Sequence, residues 1–168
     1  MYAPRQDSIR YIYLVFSYDN KSPVSWIIRF LTWSDYSHVA LVNPETLEII
    51  SSDHKKGVHR KTLRLLLKNL SVRFRRIPHP NPGRVWRIAY SQIGKEYDFD
   101  FLWGWIFRKD WQDPAKWSCS ELIAWAAGHG GKYIISKDRI GRVTPEHLYM
   151  ISEEIERSFP LNTNKEIS

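Results

Sequence analysis

The hydrophobic period of this chain turns from mainly strand-like to helical at one proline-rich break, and that change limits the architectures open to it. Before "PHPNPG" (residues 78–83) the apolar segments are short and mostly alternate in the manner of strands: "IRYIYLVFS", "SHVALV", "LEIIS", "GVHRKTL" and "SVRFRRI". In the last of these, Val72 and Phe74 alternate with Arg73 and Arg75. "NPET" between the second and third has turn chemistry, so those two form a hairpin. After the proline-rich break the spacing becomes helical. "GRVWRIAYSQIG" sets Val85, Ile88, Ala89 and Gln92 on one face with Gly94 as a stop, and "DFLWGWIF", "SCSELIAWAAGHGG" and "TPEHLYMISEEI" follow. One helix interrupts the strands: "SPVSWIIRFLTWS" has Ser22 as cap, Pro23 at the first position, and Trp26, Ile27, Phe30 and Leu31 on one face. "LRLLLKNL" reads as a short helix. Strands first and helices later predict an α+β fold, an antiparallel sheet packed against helices.

With 168 residues and no internal repeat or shift of composition, a single domain over residues 1–160 is expected, with 161–168 a flexible tail. No apolar run is long enough to cross a bilayer. The one cysteine excludes an internal disulfide framework and a thiolate metal site. His-x-x-x-His pairs are absent, and "GHGGK" lacks the spacing of a phosphate loop, so neither a metal nor another cofactor is expected. The N-terminal "MYAPRQDSIRYIYLVF" lacks a basic-then-apolar leader. The expected compartment is therefore the cytoplasm, unless another export route or phage association carries the protein out. A net charge of +7 favours anionic partners. Nucleic acid is disfavoured, because the tryptophans fall in apolar helices where core packing accounts for them.

The sole thiol, Cys119, stands in "SCSE". This is a Ser-x-x-Glu capping pattern that makes Cys119 the first residue of a helix. Unpaired backbone N–H groups and the helix dipole there stabilise a thiolate and offer donors to an oxyanion, with Ser118 and Ser120 on either side. Such a thiol needs a base. His79 lies in the proline-rich break, His129 among glycines, His147 in the first turn of a late helix, and His54 and His59 in a basic loop and strand. His38, at the mouth of the apolar strand "SHVALV", is the candidate.

Five segments in order, "SHVALV", a strand ending in "GV", "GKEYDFDF", "SCSELIAW" and "VTPEHLY", resemble the circularly permuted, YiiX-like branch of the NlpC-type papain-fold cysteine hydrolases. In that branch the histidine strand precedes the cysteine helix, as here. The resemblance implies a papain-like fold with Cys119 as nucleophile, His38 as base, and Tyr97 beside the cleft. It also implies a third polar residue on the strand after the histidine strand, where glutamate is usual. Here Ser51 occupies that register. Asp53 lies on the same strand face as Ile49 and Ser51 and is the alternative, with His54 and Glu48 as weaker substitutes.

A thiol, an imidazole and a helix-terminus oxyanion site together perform acyl transfer through a thioester. The expected activity is hydrolysis of an amide, a cell-wall peptide amide being one substrate class. The alternatives are a lipid ester or amide hydrolase or acyltransferase, and a catalytically weak binding or structural module of a phage or effector system. Lys55, Lys56, His59 and Arg60 are expected to rim the cleft and attract an anionic peptide or lipid.

Overall fold

The alternating segments of the first half become a single sheet. The structure, a computed structural model, describes residues 10–67, 71–97 and 116–155. Strands β1 (Tyr11–Tyr18), β2 (His38–Asn43), β3 (Glu48–Asp53), β4 (Gly57–Thr62), β5 (Ser71–Pro78) and β8 (Glu153–Glu154) form a six-stranded sheet of order β4-β3-β2-β1-β5-β8. Every neighbouring pair in it is antiparallel. Strands β6 (Glu96–Tyr97) and β7 (Lys116–Trp117) form a separate parallel pair. The helices are α1 (Pro23–Thr32), α2 (Leu63–Leu67), α3 (Pro82–Tyr90), α4 (Cys119–Gly130) and α5 (Pro145–Met150), with a 3₁₀ turn at Lys137–Arg142. The mixed α+β class follows the sequence pattern. "DFLWGWIF" and the tail at 161–168 lie outside the described residues. Among the described residues no helix is long and apolar enough to cross a membrane.

Side-chain alternation divides the core in two. Leu14 and Phe16 of β1, Val39 and Leu41 of β2, Ile50 of β3 and Val58 of β4 share one cluster with Val85 and Ala89 of α3 and with Cys119, Leu122, Ile123 and Ala126 of α4. Val15, Ala40, Val42 and Ile49 take the opposite face and pack with Leu63 and Leu66 of α2. Helix α4 is buried on nearly all sides, which its almost continuous apolar sequence requires. Phe16, fully buried, lies edge-on to Tyr149 at 5.3 Å and tilted against Tyr36 at 5.5 Å, joining the sheet to α5 and to the loop after α1.

The helix ends follow local chemistry. Ser22 accepts from the Ser25 N–H ahead of Pro23, and Thr144 and His147 form a reciprocal capping box ahead of Pro145. Helix α3 stops at Tyr90, so Gln92 lies in the following turn, where its side chain accepts from the Trp117 indole. At the turn from β3 to β4 the backbones approach closely. Gly57 has φ +63°, and a methyl group there would sit 2.1 Å from the Lys95 carbonyl oxygen. Val58 N–H donates to that same oxygen and Gly94 N–H to the Val58 carbonyl, which fixes β6 beside β4.

Candidate active site

Cys119 is the first residue of α4. Ser118 precedes it in extended conformation, and its hydroxyl accepts from the Glu121 N–H at 3.3 Å. The backbone N–H groups of Val39 and Ser120 face the thiol and favour its thiolate. Burial is the larger influence, with Cys119 only 5% exposed, and it pushes the thiol above its ordinary range. Position at a helix start predicts a depressed thiol; in the closed core, loss of water outweighs the helix terminus. The Ser120 hydroxyl donates to the Val143 carbonyl, tying α4 to the segment ahead of α5.

His38 is the first residue of β2, paired with Ser17 of β1. Alternation is decisive here: Val39 points toward α4 and shares a cluster with Cys119, so the adjacent His38 side chain takes the other face. There it lines a cavity of about 250 Å³ with Ser17, Ser25, Ser37, Asp53, His54, Lys55 and Lys61. Burial, and then Lys61, lower its pKa from 6.5 to about 4, against the opposing pull of Asp53. No hydrogen bond joins Cys119 to His38 among the described residues. The hydrogen bond expected of the dyad is therefore not formed: alternation turns the His38 side chain away from the face that Val39 presents to α4. The cavity it lines nevertheless also reaches Tyr18 and Ser52 of that face, and the Val39 N–H facing the thiol belongs to the peptide that begins at His38.

The remaining expected site residues divide between the two faces. Asp53 lies on the His38 face, where its carboxylate caps the turn after β3: Oδ1 accepts from the Lys55 and Lys56 N–H groups, each at 3.0 Å. Its Oδ2 is 3.3 Å from His59 Nε2. Burial works against the charge, but those N–H groups and His59 together hold the carboxyl below its usual value. Ser51 is fully buried and its hydroxyl has no partner among the described residues, as is also true of Ser17 and Ser52. Lys55 lines the His38 cavity, Lys56 is exposed in the turn, and Arg60 pairs with Glu48 at 3.2 Å beneath the Tyr90 ring. The expected cationic rim is thus spread over a turn and both sheet faces. The register Tyr97↔Trp117 brings the Tyr97 backbone two residues ahead of Cys119.

Three other histidines hold local structure. His79, within the proline-rich break, is fully buried: its Nε2 bonds the Ala127 carbonyl and its Nδ1 accepts from the Asn81 N–H. It is a staple between the β5–α3 loop and α4. His59, expected at the rim of the cleft, is half-buried between Asp53 and the Gly57 carbonyl. His147 completes the α5 cap. Sequence reasoning passed over Ser17 and Lys61 as neighbours of His38. The signal was available, since Ser17 continues the face of Val15, and Lys61 that of His59.

No protein-family model matches the sequence, and no curated protein matches it. Among solved structures, the crystal structure of the metalloprotein YiiX from Escherichia coli O157:H7 superimposes with a TM-score of 0.57. The match covers 75% of this chain and 69% of that one, at 18% sequence identity. The likeness is one of fold. Among the described residues of this chain, no group of three or more His, Cys, Asp or Glu side chains is arranged to hold a metal ion.

Proposed function

We propose that this chain is a cysteine hydrolase that cleaves an amide through a thioester on Cys119. The observation that carries the reading is the setting of the thiol: a capped helix start with the N–H groups of Val39 and Ser120 directed at the sulfur. The His38 imidazole takes the Cys119 proton as the sulfur attacks the substrate carbonyl, and helix-start N–H groups hold the oxyanion. The amine leaves with a proton from the His38 imidazole, and water attacking the thioester returns the thiol. His38 reaches the thiol face by peeling the first residue of β2 from Ser17. This is a local opening, because the paired register of β2 with β3 begins only at Leu41. Asp53, in the same cavity as the resting imidazole, is the candidate for orienting it; Ser51 occupies the register that the resemblance assigns to the third residue. Tyr97 is proposed as a cleft residue on the strength of its register beside Trp117.

A cell-wall peptide amide is the substrate class put forward, with a lipid ester or amide as the alternative on the same chemistry. The test is incubation with purified peptidoglycan and, separately, with anionic phospholipid vesicles. New amine termini that vanish in Cys119→Ala and fall strongly in His38→Ala support an amidase, and fatty acid released with the same dependence supports a lipase. Turnover retained in Cys119→Ala would sink the thiol mechanism. One observation favours a second reading, a binding module with little turnover. The thiol and imidazole occupy opposite faces, and at neutral pH their shifts leave both uncharged. Absence of turnover on both substrates, with the fold intact, selects that reading.

A further inference from the structure

Helix α1 is amphipathic, yet it is mounted with its apolar side outward. Trp26 is 64% exposed, Ile27 44%, Phe30 65% and Trp33, at the left-handed C-cap, 87%. The polar side faces in: Ser25 is buried, accepts from the Asp19 N–H and lies 2.7 Å from the Ser37 hydroxyl. Scattered surface hydrophobics are ordinary, but a stripe of large side chains over two helical turns is an interaction surface. The Trp26 and Phe30 rings are stacked at 5.5 Å and 10°, so the two act as one apolar plate.

We propose that α1 is a membrane-surface anchor that lies in the headgroup region of a bilayer containing anionic lipid. Two observations select this occupant over a protein. The stripe begins at Trp26 and ends at Trp33, and tryptophan is the residue suited to the boundary between hydrocarbon and headgroups. Its electrostatics are cationic. Helix α1 contains no acidic residue; Arg29 lies over the Tyr18 ring at 4.7 Å and, with Arg73, lines a groove beside the helix. The chain carries +7 overall. Asp35, exposed two residues after Trp33, shares that groove and offsets one of its two arginine charges, and Asp19 at the other end caps the Lys21 N–H. Basic groups at this depth gain attraction from anionic headgroups. At ten residues the helix lies on the surface and does not span.

The test uses the full chain in sedimentation with vesicles of phosphatidylcholine alone and of phosphatidylcholine mixed with phosphatidylglycerol. The expected result is binding to the anionic vesicles only, weakened by salt. It should fall by about tenfold or more in Trp26→Ser/Phe30→Ser/Trp33→Ser, whose side chains support no core. Arg73→Glu, which leaves the plate untouched, should weaken binding in the same direction. Cys119→Ala should bind like the unaltered chain, so this outcome is separate from the thiol chemistry. A chain that stays in the supernatant overturns the proposal, as does equal binding by both aromatic and charge variants. A dimer that the triple serine variant abolishes, with no vesicle binding, overturns it too and assigns the plate to a second copy.

Discussion

Acid should destabilise this fold through His38 well before the carboxylates titrate. In the unfolded chain the imidazole takes up a proton near 6.5, whereas in the folded chain burial and Lys61 hold it off until about 4. The stability that rests on its neutral form is therefore complete above 6.5 and is lost as pH falls from 6.5 through 4. At about 1.4 kcal/mol per pH unit the full displacement amounts to roughly 3 kcal/mol, and the partial exposure of the ring at the cavity mouth makes that an upper figure. His79, also lowered by burial, adds to the loss in the same window, so the informative quantity is a difference between proteins. Asp53 titrates below its ordinary 3.8 and falls outside the window. Urea unfolding followed by circular dichroism at a series of pH values from 7 to 4 should show the unaltered chain losing stability more steeply than His38→Asn. The imidazole resonances of His38 should titrate near 4. Equal pH slopes for the two proteins, or a His38 resonance titrating near 6.5, would refute the placement of the ring in this cavity.

Three further outcomes follow from the same geometry. Cys119 in the folded chain should alkylate with iodoacetamide far more slowly than free cysteine at neutral pH, accelerating in urea; fast alkylation at pH 7 would mean an exposed, depressed thiol in place of the buried, raised one. Ser118→Ala removes the α4 cap and should cost about 1 kcal/mol in urea unfolding, with an unchanged midpoint counting against the cap. Gly57→Ala meets both a left-handed backbone and the Lys95 carbonyl, so a loss of about 2 kcal/mol or more is expected, and a stability like that of the unaltered chain would remove the close approach.

What the sequence determined by itself is local. Short apolar segments located β1 to β5 but not β6, β7 or β8, the last of which falls in the "TPEHLYMISEEI" read as helix. Ser22–Pro23, Ser118 and Thr144–Pro145 located three helix starts, because capping and pleating are settled within a few residues. The resemblance drawn from the sequence and the superposition on YiiX meet at the level of fold. What only the tertiary structure decided is which face each pattern presents, and to what. Alternation reveals that His38 and Val39 differ in side, but not which side receives α4; that depends on contacts more than seventy residues away in sequence. The same holds for the α1 stripe, whose spacing marks an apolar face without indicating whether core or surroundings will meet it. Burial reversed the expected shift of the Cys119 thiol for a related reason. The helix terminus is encoded beside the residue, while the exclusion of water is imposed by every element packed over it.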